Sequence, residues 1–315
     1  MINKQLAKDV LDGLSSTPKT LSSKYFYNKK GDALFQQIMG LNEYYLTRAE
    51  YAVFDQYKKD WLGLFQNTGK PFQLIEFGAG DCYKTKVLLD AFTETEADFQ
   101  YVPIDISKNI LNVLEADLSE RYPKLDIQPV NTDYFKALEE LDKNTTHRKV
   151  ILFLGSNIGN FTSEQAIAFL GEVQQRLSKD DLILIGIDLK KDPKTILAAY
   201  NDEKGITRDF NLNLLDRINE ELGANFEVEN FIHSPIYNPM TGEARSYLVT
   251  KKAQTVRIDA LNQSFELEAW EAIHTEISRK YSLSQIEHLA KQAGFSETTH
   301  FFDEQKYFVD TIWRV

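Results

Sequence analysis

Five apolar runs of strand length, at 73–77, 99–104, 125–130, 149–155 and 182–188, alternate along this chain with segments whose apolar residues recur at helical spacing, at 84–92, 108–121, 134–141 and 163–177. Val150-Ile151-Leu152-Phe153-Leu154 has no polar interruption, so that strand is expected to be covered on both faces, as in a parallel sheet flanked by helices. Ser163 with Glu164 and Gln165 makes a helix start, with Thr162 as the alternative cap.

After Asp188 the alternation stops. Asp192-Pro193 opens a helix, Gly205 punctuates it, and 209–222 forms another that ends at Gly223. Short β-rich pieces follow at 225–233, 244–251, 254–258 and 264–268, which predict an inserted α+β domain rather than another strand–helix unit. The chain then returns to a helix at 282–293, closed by Gly294, and two strands at 297–302 and 307–315 around Asp303-Glu304-Gln305. A β-hairpin finishing a parallel sheet is the expected end of a seven-stranded methyltransferase sheet, whose last strand runs antiparallel. The first 50 or so residues hold Tyr25, Phe26, Tyr27, Phe35, Tyr44 and Tyr45, either as core or as the wall of a pocket.

The most informative segment is Leu74-Ile75-Glu76-Phe77-Gly78-Ala79-Gly80, with Val102-Pro103-Ile104-Asp105 after it. It describes a buried strand, a tight glycine turn, a helix, and a second strand ending in a carboxylate about 25 residues on, near the offset of roughly 20 at which an acid takes ribose hydroxyls. Dinucleotides and S-adenosylmethionine both use this layout. A dinucleotide site wants a small residue where Tyr83 stands, so the residues favour S-adenosylmethionine. The bland alternative is a strand-to-helix turn with no ligand.

Composition narrows the partners. The 315 residues carry a net charge of −11 with Lys and Arg scattered, which disfavours a nucleic-acid substrate and points to a small molecule. No apolar run approaches the ~20 residues that span a bilayer, and the amino terminus has no signal-like apolar stretch. The single cysteine, Cys82, excludes an internal disulfide and reads as packing. The expectation is a cytoplasmic monomer that binds no membrane and no nucleic acid.

Methyl transfer from a sulfonium is an in-line displacement, so its catalyst must align the partners and exclude water. Tyr, Asn and Ser suit that task; metals and nucleophilic triads do not. Seven strings occur in one order: Lys24-Tyr25-Phe26-Tyr27-Asn28, Glu43-Tyr44-Tyr45-Leu46-Thr47-Arg48-Ala49-Glu50, Phe153-Leu154-Gly155-Ser156-Asn157-Ile158-Gly159-Asn160, Gly186-Ile187-Asp188-Leu189-Lys190-Lys191-Asp192, Ala199-Tyr200-Asn201-Asp202, Phe210-Asn211-Leu212-Asn213 and Thr275-Glu276-Ile277-Ser278-Arg279-Lys280-Tyr281. Together they resemble the histidine N-α-methyltransferases of ergothioneine biosynthesis, over roughly residue 9 to the C-terminus.

The resemblance implies an α/β fold: a Rossmann-like seven-stranded SAM-dependent methyltransferase sheet at 48–188 and 281–315, with a second α+β substrate domain from 1–47 and 189–280. It implies S-adenosyl-L-methionine as cofactor, held by Gly78, Ala79, Gly80 and Lys84, with Asp105 on the ribose and Asp133 and Tyr134 on the adenine. Tyr27 and Asn160 take the catalytic places. Tyr27 lies beside the reacting amine, Asn160 and Tyr200 grip the substrate carboxylate, Tyr44 helps close the pocket, and Glu276 and Ser278 hydrogen-bond the imidazole of histidine. Ser246 stands where relatives have a larger apolar residue near that ring, and Asn157 where a threonine is common.

These roles suit the side chains. An Asn amide and a Tyr hydroxyl donate to a carboxylate, and a carboxylate accepts an imidazole N–H. A site that bonds both ring nitrogens rejects an apolar amino acid by leaving polar groups unpaired. The spacing of Glu276 and Ser278 puts both on one strand face. The implied reaction is trimethylation of the α-amine of L-histidine to hercynine. The rivals are an N-methyltransferase for another aromatic amino acid or a histidine derivative, a non-catalytic S-adenosylmethionine-binding protein, and, third, hydride transfer with NAD.

Overall fold

The computed structural model describes residues 3–141 and 147–315. The first helices are α1 (Lys4–Ser15), α2 (Lys29–Met39) and α3 (Leu46–Gln66). Alternating elements follow: β1 (Phe72–Phe77), α4 (Thr85–Glu94), β2 (Phe99–Asp105), α5 (Lys108–Arg121), β3 (Asp126–Ile127), β4 (Val130–Asn131), α6 (Tyr134–Leu141), β5 (Arg148–Phe153), α7 (Ser163–Gln175) and β6 (Leu182–Asp188). Next come α8 (Pro193–Ala199), α9 (Ile206–Leu222), β7 (Phe231–Asn238), β8 (Glu243–Thr250), β9 (Gln254–Ile258), β10 (Gln263–Leu267) and β11 (Ala272–Arg279). The chain closes with α10 (Leu283–Gln292), β12 (Glu297–Phe302) and β13 (Phe308–Arg314).

Two compact units result: Met1–Tyr45 with Lys191–Ser278, and Leu46–Lys190 with Arg279–Val315. The second holds an eight-stranded sheet in the order β12-β13-β6-β5-β1-β2-β3, with β4 also paired to β2. Strands β2, β1, β5 and β6 run parallel, and β13 lies antiparallel to β6. Every residue of β1, β5 and β6 is buried, the polar Gln73, Glu76, Arg148, Lys149 and Asp188 included, as strands covered on both faces require. This is the expected methyltransferase sheet with one correction. The third strand, expected as a single run at 125–130, is two short pieces separated by Pro129, which has no N–H to give the edge ladder.

Helix ends follow their caps. Thr162 caps α7 in a reciprocal box with Gln165, and Ser282 does the same for α10 with Gln285. The hydrophobic pattern singled out none of the N-terminal helices α1, α2 and α3, the longest of which is α3. Its buried positions, Leu46, Glu50, Val53, Phe54, Trp61, Leu62 and Phe65, keep a helical period but include an acid.

The other unit contains α1, α2, α8, α9, a three-stranded sheet in the order β11-β8-β7 and the β9–β10 hairpin. The strand expected at 225–233 is a 3₁₀ turn at Val228–Asn230 followed by β7, which contains Pro235. Proline is tolerated there because β7 is the sheet's outer strand.

Trp61 anchors α3 to the sheet. It is fully buried, 4.9 Å from the Phe54 ring and 5.4 Å from that of Phe301, both edge-on. Trp61→Ala is expected to cost about 3–5 kcal/mol by urea unfolding, the usual loss for a large core side chain. A loss under about 1 kcal/mol would show that α3 is not held by this contact.

Candidate active site

The expected cofactor residues lie at the carboxyl ends of the parallel strands, the end at which open α/β sheets bind ligands. The turn after β1 bends at Gly78, whose φ is +74°. A Cβ at Gly78 would lie 2.7 Å from the Tyr134 hydroxyl and 3.1 Å from the Asn157 amide nitrogen, so only glycine fits. The Gly80 N–H donates to Asp105 Oδ2 at 3.0 Å and the Ser107 N–H to Oδ1 at 2.8 Å, which fixes the carboxylate at the end of β2. Burial pushes the Asp105 carboxyl up, while those backbone donors pull it down.

Tyr134 opens α6, ringed by Phe77, Phe153, Phe161 and Phe169, and burial followed by the nearby Asp105 charge raises its phenol. Gly78, Tyr134, Asn157 and Asp105 are thus gathered in one place. Asp133 caps α6 instead, accepting from the Lys136 N–H at 3.0 Å. Asn160 ends the 3₁₀ turn Asn157–Asn160 and is exposed, and Thr162 caps the helix that follows.

Tyr83 corrects one argument. It is 50% exposed and stacked on Tyr51 at 5.0 Å, turned outward from the glycine turn, so its bulk is not what distinguishes the ligand. The antiparallel β13 carries that distinction. Lys84 is paired with Glu50, an acid on α3 that the motif reading quoted without giving it a role. Its signal was a carboxylate at a core-facing position of a helical period. Behind the turn, Glu76 accepts from Tyr101 Oη at 2.5 Å and Thr85 Oγ1 at 2.8 Å, and Cys82 Sγ lies 3.1 Å from Tyr101 Oη. Burial raises the Cys82 thiol, consistent with packing.

In the other unit, Tyr27 sits edge-on to Phe35 and Phe210, both at 5.6 Å, and Tyr44 edge-on to Phe35 at 6.3 Å. The Tyr200 hydroxyl, on the residue after α8, donates to Ser278 Oγ on β11 at 2.8 Å, and both residues are buried. These two were expected to act on different parts of a ligand, and here they bond each other. Glu276 is two residues back on β11, partly exposed. Ser246, buried on β8, has its hydroxyl 3.2 Å from His233 Nε2 across the strand pair. Burial lowers the His233 imidazole to about 4, so it is neutral near pH 7. The scattered histidines showed no pattern in the sequence, and only the β7–β8 register brings this one to Ser246.

The family model for histidine-specific, SAM-dependent methyltransferases matches residues 6–315. The chain belongs to that family. It is 33% identical over 298 residues to the histidine N-alpha-methyltransferase of Mycolicibacterium smegmatis, covering 95% of this chain and 91% of that one. The Mycobacterium tuberculosis protein of the same name is 33% identical over 299 residues, with coverage of 95% and 91%. Ergothioneine biosynthesis protein 1 of Neurospora crassa is 30% identical over 298 residues, which span 92% of this chain and 32% of that longer protein.

The chain is therefore a SAM-dependent methyltransferase. Its sheet unit fits the cofactor: open space lies where a Cβ at Gly80 would stand, and the fixed Asp105 carboxylate suits ribose hydroxyls. The phosphate-free ligand does not need a bare helix terminus.

Glu76 gives the site unit a pH signature. Burial, opposed by the Tyr101 and Thr85 donors, raises its carboxyl from 4.5 to about 7. A folded value above the unfolded one means its contribution is complete below about pH 4.5 and is lost as pH rises through about 7. Glu76→Gln, which cannot ionise, is expected to flatten the fall in unfolding free energy between about pH 5 and 8 by a few kcal/mol. Parallel curves for the two proteins in urea titrations would assign the pH dependence elsewhere.

Proposed function

We propose that this methyltransferase acts on L-histidine and adds three methyl groups in succession to its α-amine, giving hercynine. The observation that carries the reading is the buried Tyr200–Ser278 hydrogen bond, with Glu276 two residues along the same strand. Ser278 carries a hydroxyl that can donate, and the Glu276 carboxylate is an acceptor. One donor and one acceptor match the two nitrogens of a neutral imidazole. The relatives named histidine N-alpha-methyltransferase support the same acceptor.

When bound, S-adenosylmethionine supplies an electrophilic methyl group. The chain's residues do the rest by orientation. Gly78, Ala79, Gly80, Asp105 and Tyr134 hold the cofactor, with the cap at Asp133 fixing where α6 begins. Tyr27 directs the amine lone pair once its proton has left to solvent, Asn160 holds the acceptor carboxylate, and Tyr200, whose one phenolic proton goes to Ser278, orients that hydroxyl. Tyr44 shields the amine from water, which strengthens each of these hydrogen bonds. Ser246, tied to His233, supplies a neutral polar wall beside the ring.

Among the described residues no helix is long and apolar enough to cross a membrane. We place the enzyme in the cytoplasm as a monomer on a small substrate, a reading that the net charge of −11 supports.

Incubation with S-adenosylmethionine and an amino-acid panel, followed by mass spectrometry, should show histidine gaining three methyl groups. Turnover of tryptophan or tyrosine with histidine untouched would overturn the acceptor. Glu276→Ala should weaken histidine binding about 10- to 100-fold, the loss of a charge-assisted hydrogen bond, and leave cofactor affinity within about twofold by calorimetry. Equal losses for both ligands would remove Glu276 from the acceptor site.

A further inference from the structure

Glu50 points from α3 into the sheet unit with its carboxylate almost wholly buried. Such burial costs several kcal/mol unless the oxygens are satisfied. The Gly155 N–H donates to both, at 2.8 and 3.1 Å, and the Lys84 ammonium pairs with one of them. The carboxylate also needs room: a Cβ at Gly186 on β6 would lie 2.0 Å from Glu50 Oε1. An apolar side chain would pack here without such requirements, so the acid is retained for what it holds.

It holds the turn after β5. From Gly155 the chain passes to Ser156, whose hydroxyl accepts from the Asp188 N–H at 3.1 Å, and then to Asn157. The Asn157 amide is the group that stands against Gly78. Glu50 therefore ties together Lys84, just past the glycine turn, and the Gly155–Asn157 turn beside it.

Asp310, paired across β13 with Gly186, is the second acid at this place, and among the described residues neither of its oxygens has a hydrogen-bond partner. Burial, then repulsion from Glu50, raises its carboxyl well above the usual range; Lys84 opposes this and Asp303 adds to it. Burial works against the charge on Lys84, yet Glu50, then Asp310 and Glu76, keep the ammonium above its ordinary value. The one ammonium here, Lys84, pairs with Glu50, and Asp310, buried without a hydrogen-bond partner among the described residues, keeps its proton.

We propose that Glu50 is a positioning residue for S-adenosylmethionine, setting through Gly155 and Lys84 the two turns that receive it, with Asp310 a neutral neighbour. The inference rests on placing the cofactor at the Gly78–Gly80 turn.

Calorimetric titration of S-adenosylhomocysteine, and separately of histidine, into the full-length protein and its variants tests it, with circular dichroism confirming that each variant is folded. Glu50→Gln should weaken S-adenosylhomocysteine about tenfold or more, with histidine affinity held within about twofold. Gly186→Ala, which displaces the carboxylate without altering Glu50 or any residue proposed to hold the cofactor, should reproduce that split. Asp310→Asn should leave both affinities within about twofold. Asp105→Ala reports on the cofactor placement itself, and unchanged binding there would overturn that placement. Loss of binding in Asp105→Ala with wild-type affinity in Glu50→Gln and Gly186→Ala would overturn the positioning role alone. Equal loss of both ligands in Glu50→Gln would make Glu50 merely structural, and an Asp310→Asn loss matching that of Glu50→Gln would reverse the charge assignment.

Discussion

A buried carboxylate must have its oxygens bonded or lose its charge, and the sheet unit is arranged around that constraint. Glu50 meets it with the Gly155 N–H and Lys84, and Glu76 with Tyr101 and Thr85. Asp310 lacks partners among the described residues and answers by holding its proton. Lys280 and Asp188 take the remaining route, a fully buried ion pair at 2.9 Å at the carboxyl end of β6. Most of these polar contacts lie at the strand ends or beneath the glycine turn, and β5 and β6 stay apolar from Val150 to Phe153 and from Leu182 to Ile187. The division is physical: the faces must exclude water for the sheet to pack, and the ends must hold polar groups for a ligand to bind.

At the proposed acceptor site, in the other unit, the pairs are neutral. Tyr200 with Ser278, buried, and His233 with Ser246, half-buried, are hydrogen bonds between uncharged groups. Neutral pairs suit an acceptor amine that must shed its proton, since a fixed negative charge nearby would favour the ammonium. Glu276 is the exception. Its place on β11, beside Ser278, suits a ring N–H better than an amine.

The strands were legible where the chain is monotonous: 149–155 and 182–188 can only be covered strands, and the terminal hairpin announces the antiparallel finish. Legibility failed where one residue broke a period. Pro129 split the third strand, Pro235 disguised β7, and Glu50 put an acid into the buried face of α3. In each case the tertiary setting tolerates what the local pattern argues against, because an edge strand does not need every N–H and a buried acid can find donors from other elements.

By itself the sequence determined the class of sheet, the glycine turn with its downstream acid, and, through seven ordered strings, the family. Those are local or ordered features that chain proximity preserves. Only the tertiary structure decided which side chains share a bond. Tyr200 meets Ser278 across 78 positions, and Glu50 meets Gly155 across 105. Spacing in the chain carries no information about such pairs; sheet order and helix packing create them. The same holds for Tyr83, whose size was visible in the sequence but whose direction, outward onto Tyr51, was settled by the turn that precedes α4.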